Sequence, residues 1–389
     1  MPFSFDTMID RRNTCSMKWD FVEDHGYPAD ILPMWIADMD FQAPKEVAAA
    51  VHACAEHGVF GYTDWKPDFF EAAFNWFSTR HGFAPKIEWL AVTPGIVFAV
   101  GAAIRAYTKP GEKVLIQPPV YAPFTSMTLN NARQLALSPL KLVDGRYEMD
   151  FASLEERMKD PAVKLMILCS PHNPVGRVWT ADELLSVGRL AKKHGVIVVS
   201  DEIHCDFAFP GHKHSVYAGL HEDLRENCVV CVAPSKTFNI AGMQLSAIFI
   251  ANEELRKQYV AEVAATGCGH PNIAGLAAGK AAYLHGAAWL DALLPYLQDN
   301  VAYVKRFLKE RLPGVVATEQ DGTFLMWLDF RALRLTHEAL WHKLIHEAKV
   351  WLDDGRKFGA GGDCFMRLNI GCPRATLEEG MKRLQSAFA

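Results

Sequence analysis

Residues 228–236 read CVVCVAPSK, an apolar run that stops at a proline and delivers a serine and a lysine. Three earlier runs behave the same way: KVLIQ at 113–117, KLMILC at 164–169 and VIVVS at 196–200. Near-continuous hydrophobicity is what a strand covered on both faces requires. Amphipathic stretches separate these runs. One covers 181–194 after Thr180, an N-cap residue type, and another covers 96–107 after Thr93-Pro94-Gly95. Strands alternating with helices predict a mainly parallel α/β sheet. Such sheets bind ligands beyond the carboxyl ends of their strands. The four runs lead into Tyr121, Asn173, Asp201 and Lys236, so the pattern brings those four side chains to one edge.

From about residue 286 the pattern changes to long helical stretches, such as 291–311, and short antiparallel-looking strands at 323–329 and 364–369. This predicts a smaller α+β domain over 286–389, joined by an interface arm over 1–45, with a large domain over 46–285. A chain of 389 residues, half of them hydrophobic, has length for two domains.

Net charge is −5, with 40 basic and 45 acidic residues interspersed, so no basic stripe offers a nucleic acid a footing. The first twenty residues carry charges of both signs and no apolar segment, unlike a signal peptide. No window approaches the roughly 18–20 apolar residues that cross a membrane. Nine cysteines without a framework suit a reducing, cytoplasmic compartment. Cys228 and Cys231 have CxxC spacing, but three residues apart on a strand they face opposite sides and cannot share a metal. His342 and His346 have helical spacing without a third ligand in a zinc pattern. No metal is expected.

The strand-end set matches what pyridoxal 5'-phosphate (PLP) asks of a protein: a lysine for its aldehyde and a carboxylate for its pyridinium nitrogen. Lys236 and Asp201 supply them. The phosphate asks for hydroxyls and helix N-terminal N–H groups, which Ser235 and free N–H groups at Gly95, Ile96 and Val97 offer. Tyr121 offers a ring to stack on the cofactor. Asn173 offers an amide to the ring oxygen or to a substrate carboxylate. Arg367, inside the apolar run FMRLNI, needs a carboxylate partner. The substrate α-carboxylate is preferred, and a structural Asp or Glu is the alternative.

The segments SPHNPVG (170–176), SDEIH (200–204) and SKTFN (235–239), with Arg367, resemble fold-type I PLP enzymes of the aminotransferase class I/II superfamily. Within it, RNTCSMKWD (12–20), LPMWIADMD (32–40), GYT (61–63), QPPVY (117–121) and the stretch from Asp354-Gly355-Arg356 to Arg367 resemble the MalY/PatB-type cystathionine β-lyases, or C–S lyases. The resemblance implies the fold-type I architecture and a homodimer with shared active sites. It gives Lys236 the Schiff base, Asp201 the pyridinium partner, Asn173 the ring oxygen and Tyr121 the stacking position. Arg367 takes the α-carboxylate, Trp35 joins it as a substrate contact, and Gly95, Ile96 and Ser235 take the phosphate. Tyr62 reaches that phosphate from the partner subunit. Ala233 and Gln244 depart from the serine and arginine that many aminotransferases carry, making the phosphate cup less cationic. His204 stands where those enzymes often place a tyrosine near the ring oxygen, and it counts here among the cofactor contacts.

The implied reaction is α,β-elimination on cystathionine or another L-cysteine S-conjugate, giving a thiol, pyruvate and ammonia. The alternatives are an aminotransferase using the same residues and a regulatory protein that uses the fold to bind a partner.

Overall fold

In the computed structural model, which describes residues 3–388, each of the four apolar runs forms a strand whose ends fall within one residue of expectation. They belong to a seven-stranded sheet: β1 (Leu90–Thr93), β2 (Lys113–Ile116), β3 (Gln134–Leu137), β4 (Val163–Cys169), β5 (Ile197–Asp201), β6 (Cys228–Val232) and β7 (Ser246–Phe249). The spatial order is β1-β7-β6-β5-β4-β2-β3, and only β7 runs against the others.

The principal helices are α1 (Pro67–His81), α2 (Ile96–Tyr107), α3 (Ala181–His194), α4 (Glu253–Ala265), α5 (Ala287–Arg311) and α6 (Arg374–Phe388). Successive strand side chains enter two different cores. Val114, Leu165, Ile167 and Val199 pack with α2 and α4 on one face. Leu115, Met166, Leu168 and Val198 pack with α1 and α3 on the other. Cys228 falls in one core and Cys231 in the other, on opposite faces. This two-sided burial explains why the strands carry no polar alternation. It also explains why α2 (IVFAVGAAIRAY) is apolar nearly all round, since it lies between the sheet and α4. Helix α3 starts with a full capping box, Thr180 and Glu183 each bonding the other's backbone.

A smaller antiparallel sheet follows: β8 (Val316–Ala317), β9 (Leu325–Asp329), β10 (Asp353–Asp354) and β11 (Phe365–Asn369), ordered β8-β9-β11-β10. Strands β9 and β11 start later than expected because Thr323 (φ 69°) and Cys364 (φ 58°) adopt left-handed backbone that no strand accepts. Helix α5 starts four residues before the expected Asp291, because Trp289 and Leu290 are buried and draw that turn into the core.

The segment from Leu32 to Phe41 is held between the two sheets. Leu32–Pro33 pairs in parallel with Val350–Trp351. The Asn369 amide donates to the carbonyls of Ile36 and Asp38. From the other side, Asn239 bonds the backbone of Met39 and Phe41. No helix among the described residues is long and apolar enough to cross a membrane.

Candidate active site

Strands β2, β4, β5 and β6 all end at the same edge, and the residues just past them surround a cavity of about 200 Å³. Nine of the twelve residues singled out from the sequence line it: Gly95, Ile96, Val97, Tyr121, Asn173, Asp201, His204, Ser235 and Lys236.

Lys236 sits in the single turn Pro234–Thr237 directly after β6, with its Nζ donating to the Ala37 carbonyl at 2.8 Å. Burial lowers its pKa to about 8; Arg367 pushes the same way, while Asp38 and Asp201 oppose. The turn is fixed from beneath. Thr237 Oγ1 donates to the buried Asp206 carboxylate at 2.7 Å, which also accepts from Trp76 and binds His81 at 2.8 Å.

Asp201 is almost fully buried, and its bond to a described residue is one accepted from the Ile203 N–H at 3.1 Å. Burial raises its pKa to about 7 and Glu202 adds to this, whereas the Ile203 bond and Lys236 pull down. Among the described residues no cation forms a salt bridge with this buried carboxylate, so its ionised form is costly. Burial likewise lowers the His204 pKa to about 3, with Lys236 and Arg367 adding to the effect. Its imidazole is therefore neutral at physiological pH, and Nδ1 has no hydrogen-bond partner. Burial raises the Tyr121 hydroxyl to about 12, so it keeps its proton.

At the N-terminus of α2, Gly95 has φ 97°, a conformation that favours glycine. One expectation needs correction here. The Gly95 N–H is not free, because it donates to the Thr93 carbonyl at 2.9 Å and closes the turn. Ile96 and Val97 keep N–H groups with no residue one turn back to accept them.

Three expected residues do not line the cavity. Arg367 is buried beside it, with Nη1 donating to Asn173 Oδ1 at 2.9 Å and Nη2 to Asp353 Oδ2 at 2.7 Å. The structural aspartate considered from the sequence thus holds one nitrogen, while Nε is buried with no partner. Trp35 stacks on Trp351 (4.5 Å, 14°) and gives its carbonyl to Arg367. Tyr62 is fully exposed, on residues 58–66, which form no helix or strand. Sequence reasoning missed Ala37, Ala241 and Leu245, which shape the wall without a reactive group, and Cys169, whose thiol burial keeps protonated. It also missed Asp353, which carries a signal only once β10 is paired with β11.

Residues 29–384 match the aminotransferase class I and II family. The chain belongs to this family. It is 43% identical over 386 residues to cystathionine beta-lyase PatB of Bacillus subtilis (strain 168), covering 99% of this chain and 100% of that protein. It is 37% identical over 389 residues to protein MalY of Escherichia coli (strain K12), covering 99% of each. The crystal structure of cystalysin from Treponema denticola, which contains a pyridoxal 5'-phosphate cofactor, superposes with a TM-score of 0.96 at 37% identity, covering 100% and 99% of the two chains.

This family member has the fittings that PLP requires. An amine with depressed pKa stands with a buried carboxylate whose ionised form is costly and a helix N-terminus with unsatisfied N–H groups, all around one cavity. A Cβ built on Gly95 would meet nothing within 4 Å, so its backbone is open to a bound group.

Proposed function

We propose that the chain is a PLP-dependent carbon–sulfur β-lyase that cleaves cystathionine or a related L-cysteine S-conjugate to a thiol, pyruvate and ammonia. Full-length identity of 43% to a cystathionine beta-lyase carries this reading.

PLP, when bound, supplies an electron sink conjugated to the substrate's amino group. The protein's own groups do the rest. Arg367 takes the α-carboxylate through its unpartnered Nε side and orients Cα. Lys236, with a pKa near 8, has a sizeable neutral fraction at neutral pH and removes the Cα proton. Asp201 would face the ring nitrogen of bound PLP and, once ionised beside it, would keep a proton there. Asn173 would bond the ring oxygen, Tyr121 would cover the ring face, and neutral His204 would complete the wall. Ser235, Ile96 and Val97 would hold the phosphate, and Trp35 would flank the substrate.

An elimination needs no second substrate. Purified protein given cystathionine is expected to release homocysteine, pyruvate and ammonia in equal amounts without a keto acid. If no thiol appears and turnover requires an amino donor together with a keto acid, the aminotransferase reading replaces this one.

Tyr62, Val59 and Phe60 are exposed on one loop, which supports an assembly in which Tyr62 reaches the phosphate of a second copy. Tyr62→Phe is then expected to release PLP faster. Hybrids of Tyr62→Phe with Lys236→Ala subunits are expected to regain one site with normal PLP retention. Hybrids that regain none would show that Tyr62 serves no partner. The same reading keeps 46–285 as the cofactor-binding domain, with 1–45 and 286–389 forming the smaller one. Nine unpaired cysteines fit a cytoplasmic setting.

A further inference from the structure

The surroundings of Arg367 pose a problem of charge. β10 and β11 pair so that Asp353 lies directly across from Arg367, 2.7 Å from Nη2. The guanidinium is buried, and the Phe358 ring covers it at 4.9 Å. Asp353 is the nearest anion acting on it. A buried Arg–Asp pair is neutral, and a substrate carboxylate arriving at Arg367 would meet an anion already bound to its ligand. Carboxylate recognition at such a pair is strengthened by a second cation.

Lys357 is that cation. It follows Asp353 by four residues on the turn Gly355–Phe358. Its Nζ lies 3.3 Å from Asp353 Oδ1, while Arg367 holds Oδ2. Each carboxylate oxygen therefore carries one cation. The same ammonium lies 5.8 Å from the centre of the Trp35 ring, whose backbone carbonyl accepts from Arg367. Trp35 is fixed by its stack on Trp351. Arg367, Asp353 and Lys357 thus sum to +1, the charge that one carboxylate neutralises.

We propose that Lys357 is a positioning residue for the substrate α-carboxylate: by engaging Asp353 from the solvent side, it leaves Arg367 a net positive charge to offer. The inference rests on the assignment of the α-carboxylate to Arg367 made above. It adds that recognition belongs to a three-charge cluster, and that one of its members lies on the surface.

The side chain of Lys357 is half exposed, so the ion pair contributes little to folding. Its effect falls on binding. At a separation of roughly 7 Å and an effective dielectric of about 30–40, one unit charge changes carboxylate affinity about tenfold.

The test is a charge series at one position, read on the PLP-loaded enzyme. KM for cystathionine and the dissociation constant of glycine, which has a carboxylate but no leaving group, are measured for Lys357, Lys357→Arg, Lys357→Gln and Lys357→Glu. Lys357→Arg is expected to match the parent. Lys357→Gln should raise both constants about tenfold, and Lys357→Glu about a hundredfold, with kcat within about twofold. Melting temperatures should agree within about 2 °C. Arg367→Gln is measured alongside. If it raises both constants while the Lys357 series leaves them flat, the inference is overturned and the Arg367 assignment stands. If Arg367→Gln changes neither constant, the Arg367 assignment fails and takes the inference with it. Constants that follow melting temperature instead of charge would make Lys357 merely structural and likewise overturn the proposal.

Discussion

Replacing Lys236 by alanine is expected to lower kcat/KM for cystathionine by at least about 10⁴-fold, because in the proposed function one side chain both tethers PLP and removes the Cα proton. The structure gives this residue a reason to serve both roles. Burial brings its pKa to about 8, so the neutral amine that attacks a carbonyl or accepts a proton is well populated near neutrality. An ordinary lysine at 10.5 would be almost wholly protonated there. Borohydride treatment of the parent should fix PLP to the peptide containing Lys236, and Lys236→Ala should retain PLP only without a covalent link. Apo Lys236→Ala is expected to stay folded, since the group removed is a buried amine whose protonated form the cavity disfavours. Reduction that marks another lysine, or turnover within tenfold of the parent, would remove Lys236 from the chemistry.

Asp201→Asn is expected to keep PLP bound while kcat falls by about 10²–10⁴-fold. Asparagine preserves shape and the bond from Ile203 but cannot hold a ring proton by charge. Stability should move differently from activity. The folded value of Asp201 lies near 7, above its ordinary 3.8, so the folded apoprotein favours the protonated carboxyl. That contribution is complete below about pH 3.8 and is lost as pH rises through about 7. Asparagine carries no such loss. Apo Asp201→Asn should therefore melt no lower than apo parent at pH 8, with a smaller advantage at pH 5, and thermal melts at the two values check this. Near-normal kcat in Asp201→Asn would refute the role.

What the sequence made legible was the sheet edge. Four buried strands announce themselves as unbroken apolar runs, and each strand places the few residues that follow it. Tyr121, Asn173, Asp201 and Lys236 could therefore be assigned to one cavity from order alone. Groups that act through backbone or shape left no such trace. Ala37 contributes a carbonyl to Lys236, and its side chain is one methyl group. The turn at Gly95 was visible, but the bond that occupies its N–H closes a three-residue turn about Pro94 that the residue types alone do not announce. Arg367 was conspicuous as a charge in an apolar strand. Its partner Asp353 was not, because two residues of β10 give no periodicity and their pairing with β11 is a tertiary fact. Asp206 was equally hidden: one acidic residue past SDEIH says nothing of Thr237, Trp76 and His81 meeting at it.

The clamp on residues 32–41 bears on how the chain comes off the ribosome. This segment is made early, and Asp38 and Asp40 can pair at once with Arg11 and Lys18, but most of its main chain is held by Asn239, Val350–Trp351 and Asn369. Throughout most of synthesis these main-chain partners are missing, and contacts of such long sequence separation form late. The sheet bearing Asp201 and Lys236 is complete once β7 has emerged, more than a hundred residues before the chain can provide Asn369. The nascent protein thus carries an assembled cofactor floor with no roof, and Ala37 settles over Lys236 only when translation is nearly finished.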